Sequence, residues 1–193
     1  MKHAFLIIAH TDYYVLKTLI SVLDHAGCDI YILFDKKSPV CEDLKTNHSQ
    51  LYILKRRMDT RWGHTSQIKA EMSLFEAALD NGPYLYYHLL SGVDLPIKPM
   101  EQILSFFEKN QGKEFVGFVP DGTWEETKVT KFHFFIKYYR MGGQMGKQVA
   151  RLRYHTEKFV NRYIKRSEYQ FKKGNNWVSI TDGFCRFLIG KKR

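Results

Sequence analysis

The chain of 193 residues has only three cysteines, Cys28, Cys41 and Cys185. An odd number without paired spacing excludes a disulfide framework and a cysteine zinc site. The eight histidines are scattered without metal-ligand spacing, which argues against a zinc enzyme. No Gly-x-Gly-x-x-Gly follows the first apolar run, and no other glycine-rich loop could cradle a phosphate, which excludes the usual dinucleotide and P-loop sites. A nucleophile elbow of the Gly-x-Ser-x-Gly type is also missing. Long apolar runs are absent. The N-terminal MKHAFLIIAHTDYY is interrupted at His10 and Asp12, offers no small-residue cleavage site and falls short of a membrane span. It reads as a buried strand, and the expectation is a cytoplasmic protein with reduced thiols.

What is present points to a globular chain. Hydrophobic residues make up 44% and aromatics 15%, enough to build one sizeable core, so residues 1–193 read as one domain. The net charge of +10 is unevenly spread: residues 121–173 hold thirteen Lys or Arg against five acids. Such a segment attracts phosphates, an anionic lipid surface or nucleic acid, and charge alone does not choose among them.

Strand and helix patterns alternate. AFLIIA (4–9), DIYILFD (29–35), LYILKR (51–56), YLYYHLL (84–90), EFVGFV (114–119) and WVSIT (177–181) read as strands. Helices follow at Val15–Leu23, capped by Asp12 and stopped near Gly27, and at Thr65–Leu79, capped by Thr65 or Ser66. The second carries an apolar stripe of Ile68, Met72, Phe75, Ala78 and Leu79. A third helix opens at Pro99 and buries Ile103, Leu104, Phe106 and Phe107. Beyond Pro120, aromatics mix with cations, and 147–166 reads as a basic helix with an apolar side of Val149, Leu152, Phe159, Val160, Tyr163 and Ile164. A last helix starts at DGFCRFLI. Residues 1–120 form a ligand-binding half, and 121–193 a basic helical segment with the start of a second half.

This alternation predicts an α/β fold with a largely parallel sheet covered on both faces. Ligands of such sheets sit outside the carboxyl ends of the strands, where strand order switches. Polar residues directly after strands should therefore line one site: His10, Asp35, Lys36, Lys37, Arg61, Trp62, Gly63, Ser91 and Asp94. In SGVD, residues 91–94, Gly92 would let the backbone approach a ligand closely, and Asp94 would face that ligand or else form a turn. His88, inside an apolar run, reads as a satisfied core histidine. The aromatics of 132–139 read as packing against the sheet.

Five blocks, AFLIIAHTDYYVLKTLI, IYILFDKKSP, RWGHTSQIKAEMSLFEAAL, YLYYHLLSGVDLPIKP and GNNWVSITDGFCRFLI, stand in the order expected of one family. From His3 to about Leu188 the chain resembles the core-2/I-branching β-1,6-N-acetylglucosaminyltransferases and the related peptide O-xylosyltransferases. The resemblance implies a GT-A type, Rossmann-like fold. It also implies a UDP-sugar donor, transfer of GlcNAc or xylose to an acceptor hydroxyl, and inversion at the anomeric carbon. Such enzymes lack the Asp-x-Asp metal motif, so no metal or other cofactor is expected. In line with that, Asp94 is preceded by Val93 and Gly92 rather than by a second acid.

By the same resemblance Ala9, His10 and Thr11 contact the nucleotide, and Asp35, Lys36 and Lys37 follow the second strand, with the acid on the nucleoside. Arg61, Trp62 and Gly63 form a further donor-side segment, while Asn176 and Trp177 lie near the transferred sugar and acceptor. Asn175 replaces the usual serine of that last segment.

The chemistry requires a carboxylate to take the hydroxyl proton and cations to meet the departing diphosphate. The resemblance places that glutamate, and the cations, beyond Arg193. The chain is therefore expected to be the donor-binding front of such an enzyme, with Lys36, Lys37 or a cation of the basic segment as the available substitutes. A rival expectation is a non-catalytic module binding a nucleotide-sugar or an anionic surface, such as the inner face of a membrane. Nucleic-acid binding is not expected.

Overall fold

The computed structural model describes residues 1–61, 63–120, 131–135, 138, 142–164 and 172–191. Two compact units emerge: Met1–Gly117 with Asn176–Arg193, and Phe118–Asn175. The division expected near residue 120 is close to the first boundary, but 176–193 belongs with the first unit. The reason is strand pairing, since Thr181, Ile180 and Ser179 align antiparallel with Tyr86, Tyr87 and His88.

The six strands are β1 (His3–Ala9), β2 (Cys28–Phe34), β3 (Gln50–Ile53), β4 (Tyr86–Ser91), β5 (Phe115–Phe118) and β6 (Gly174–Thr181), in sheet order β3-β2-β1-β4-β6-β5. β1 is parallel to both β2 and β4, and β2 is parallel to β3. Only the β4–β6 pair, among those with a described register, is antiparallel. Strand order therefore turns back between β1 and β4, which makes their carboxyl ends the switch point.

β1 is buried along its whole length and its side chains alternate between two cores. Ala4, Leu6 and Ile8 join one; Phe5, Ile7 and Ala9 join the other. α1 (Tyr13–Leu23) covers the second with Leu16, Leu19, Ile20 and Leu23, at i, i+3, i+4 and i+7. Each such side chain contributes about 1.5–3 kcal/mol on burial. Asp12 caps α1 as expected, at φ 48°, accepting from the Val15 N–H. Gly27 does not end this helix; Asp24 does, and its carboxylate accepts from the N–H groups of Asn47, His48 and Ser49.

α2 (Thr65–Leu79) covers the first core, together with α5 (Asp182–Gly190). Its limits are those the periodicity predicts, but its buried stripe is Ala70, Leu74, Phe75 and Ala78, and Ile68 is exposed. The N-cap is His64, whose ring nitrogen accepts from Ser66 N–H, in place of the expected Thr65 or Ser66. α3 (Met100–Lys109) follows Pro99 and buries Met100, while Phe106 is half exposed. His88 is a core histidine: Nε2 meets His3 Nδ1 at 2.9 Å and Nδ1 meets Ser179 Oγ at 2.8 Å. α4 (Gly143–Tyr163) belongs to the second unit.

Candidate functional site

Parallel pairing in register brings the ends of β1, β2 and β4 together: Ala9 aligns with Phe34, and Ile8 with Ser91. Backbone bonds continue past the strands. Asp35 N–H donates to Ala9 O at 2.8 Å, and Gly92 N–H donates to Ile8 O at 2.9 Å. Ser38 Oγ donates to His10 O, so the β1 and β2 loops are tied again one step further out. His10 and Thr11 are exposed, whereas Ala9 contributes buried backbone. Asp35, Lys36, His10, Thr11, Ser91 and Asp94 thus occupy one sheet edge. β6 runs antiparallel to β4 and so begins where β4 ends, which places the exposed Asn176 and Trp177 at this edge also.

Asp35 is the buried centre of the β2 loop, 2% exposed. Its Oδ1 accepts from Lys37 N–H at 2.8 Å; its Oδ2 accepts from Lys37 Nζ at 3.1 Å and Thr60 N–H at 3.2 Å. The carboxylate therefore holds the loop together. Lys37 also donates to Asp59 at 2.7 Å and Thr60 O at 2.6 Å, and Arg61 donates to Asp59 at 2.6 and 2.9 Å. Hydrogen bonds from Arg61 and then Lys37 hold the Asp59 carboxyl well below the usual range. Burial pulls the Lys37 ammonium down, but Asp59 and Asp35 outweigh it and raise its pKa. Lys36 is different. Its backbone N–H donates to Met58 O at 2.8 Å, while its exposed ammonium has no ion pair among the described residues.

Sequence patterns gave no sign of Arg57. Its Nη2 donates to Asp35 O at 2.8 Å, to Lys36 O at 3.3 Å and to Ser38 O, clamping three carbonyls of one turn. Its Nε is buried and has no hydrogen-bond partner among the described residues. Glu71, two turns into α2, was equally invisible; burial pushes its carboxyl up to about 7.

The 91–94 turn answers why an apolar strand ends in Ser-Gly-Val-Asp. Asp94 Oδ2 accepts from Ser91 N–H at 2.7 Å, and Asp94 N–H donates to Ser91 O at 3.1 Å, so Asp94 closes the turn. Gly92 has a reason inside the fold. A Cβ there would lie 3.2 Å from Ala9 Cα and 3.3 Å from Ala9 Cβ, so glycine lets this turn rest on the end of β1. Gly63 lies in an exposed turn at φ 69°, beside Arg61, whose N–H donates to Ser66 Oγ at 2.9 Å. Trp62 lies outside the described residues.

A family model of the Core-2/I-branching enzymes matches residues 3–192. The chain belongs to the Core-2/I-branching family. The six-stranded α/β sheet with helices on both faces agrees with the GT-A-like fold of this branching-enzyme family. Membership carries the general activity, transfer from a nucleotide-sugar donor to an acceptor. No curated protein matches the branching-family chain. Among the described residues, no three His, Cys, Asp or Glu side chains gather as a metal site, and no helix is long and apolar enough to cross a membrane.

Proposed function

We propose that the carboxyl edge of β1, β2 and β4 binds the UDP moiety of a nucleotide-sugar, for inverting transfer of GlcNAc or xylose to an acceptor hydroxyl. The interlocking of the 9–11, 35–38 and 91–94 loops at the switch point carries this reading. In it, Ala9, His10 and Thr11 offer backbone and side-chain polar groups to the nucleotide, and the Asp35 loop meets the nucleoside. The Lys36 ammonium, free of ion pairs among the described residues, meets diphosphate charge in place of a metal. Arg61, Trp62 and Gly63 complete the donor side. Asn176 and Trp177 lie toward the sugar and acceptor.

One observation favours binding without turnover by the described residues. Asp35 has both oxygens held by donors of its own loop, which leaves it unsuited to take a proton from an acceptor, and Asp94 commits one oxygen to the Ser91 N–H. Calorimetric titration with UDP, alongside turnover of UDP-GlcNAc and UDP-xylose, tests both parts. UDP binding weakened about 3- to 10-fold by Lys36→Ala is expected for an exposed charged contact. UDP affinity indifferent to both Lys36→Ala and Asp35→Ala would overturn the assignment. Binding without turnover of either sugar would favour the module.

A further inference from the structure

α4 is the longest helix described, and most of its apolar side is unburied. Gly146 is its one fully buried residue. The inward side is polar: Asn161 Oδ1 accepts from Phe132 N–H at 2.6 Å, its Nδ2 donates to Phe132 O at 2.8 Å, and Glu157 accepts from Phe134 N–H at 3.1 Å. About a third of a turn away, Met145, Leu152 and Phe159 recur every seven residues, and Tyr163 follows one turn on. They are 64%, 56%, 68% and 70% exposed. On the far flank of that row Lys147, Arg151, Lys158 and Arg162 make a second row, all exposed. A cavity of about 380 Å³ opens beside it, lined by Lys131, Lys158, Arg162, Tyr154 and Asn161. The one acid among its described lining residues, Glu157, is already shared with Arg153 and His133, each at 3.6 Å.

An exposed apolar row and a cation row on one helix match the two layers of a bilayer surface. Nucleic acid would use the cations but leave Met145, Leu152 and Phe159 against water. We propose that α4 is an interfacial anchor lying flat on an anionic phospholipid membrane. The Met145–Leu152–Phe159–Tyr163 row enters the acyl boundary, while the cation row on its flank takes lipid phosphates. The helix lies on the bilayer and does not span it. This surface is independent of the donor-site assignment.

Co-sedimentation of the full chain with vesicles tests it. Binding is expected to equimolar phosphatidylcholine–phosphatidylglycerol vesicles and not to phosphatidylcholine alone. Lys158→Gln with Arg162→Gln should weaken it about 30-fold. Leu152→Ser with Phe159→Ser should weaken it at least about 10-fold, with circular dichroism and UDP affinity unchanged. As a check independent of those variants, Phe159→Trp emission should shift to the blue on adding the anionic vesicles. Equal binding to both vesicle types, indifference to both variant pairs, or an unshifted Phe159→Trp spectrum overturns the proposal. So does a dimer that Phe159→Ser dissolves, which would make the row a contact between two copies of the chain.

Discussion

Arg57 Nη2 donates to the Asp35 carbonyl at 2.8 Å, from the loop that follows β3 to the loop that follows β2. The same nitrogen reaches Lys36 O and Ser38 O, so one side chain sets the curvature of the whole 35–38 turn. Arg57→Met strands three carbonyl oxygens that share one charged donor, at a cost of about 1.5–3 kcal/mol. Chemical denaturation should read that loss, and UDP affinity should fall with it. Arg57→Lys should recover stability in part, because an ammonium keeps the charge but not the planar fork. Unchanged UDP affinity in Arg57→Met would separate this clamp from ligand binding.

Gly92 should tolerate no side chain. The Ala9 atoms that a Cβ would meet at 3.2 and 3.3 Å belong to a buried strand that cannot retreat. Gly92→Ala is expected to cost about 1–3 kcal/mol by overpacking, read as a lower melting temperature. Gly63→Ala, with no atom within 4 Å but φ at 69°, should cost less, from backbone conformation alone, about 1 kcal/mol.

Stability should respond to pH with opposite signs through the half-buried Glu71 and the buried His3–His88 pair. Burial raises the Glu71 carboxyl to about 7 from 4.5, so the folded chain holds a proton that the unfolded chain releases. Stability from this group falls as pH rises through that window. Glu71→Gln should therefore stabilise the chain above pH 7 by on the order of 2 kcal/mol and do little below pH 4.5.

Burial, with a smaller push from the N-terminal ammonium, lowers His3 to about 4 from 6.5. Burial also lowers its partner His88. Both stay neutral in the folded chain while the unfolded histidines take up protons. Their contribution is present above pH 6.5 and is lost as pH falls toward 4. Melting temperatures of the wild type and of Glu71→Gln across pH 4–8 would check both signs, with the variant showing the steeper rise between pH 5 and 7.

The elements legible in the sequence were those with a strong period. α2 could be bounded at Thr65 and Leu79 because Asn81-Gly82-Pro83 breaks the chain after it, and β1 because an unbroken apolar run implies burial on both faces. What remained hidden depends on partners far away along the chain. His64 caps α2 through a ring nitrogen, a role that the nearby Thr65 and Ser66 obscured. Arg57 falls just beyond the strand pattern LYILKR (51–56), and only the folded 35–38 turn shows what it holds. Asp94 could have faced a ligand or closed a turn, and the Ser91 N–H engages one of its oxygens in the turn. The apolar side expected of α4 exists, but nothing in periodicity tells whether protein or another phase covers it.

The pairing of β6 with β4 has a consequence for how the chain matures. Ser179 reaches His88 across 91 positions, so the sheet stays unfinished on a ribosome until the entire 118–175 excursion has emerged. That excursion leaves from the end of β5 and returns at the start of β6, strands that are neighbours, and Val119 N–H closes its base on Lys173 O at 2.8 Å. A short tight turn grafted from 119 to 173 is consequently expected to leave the nascent sheet quicker to close.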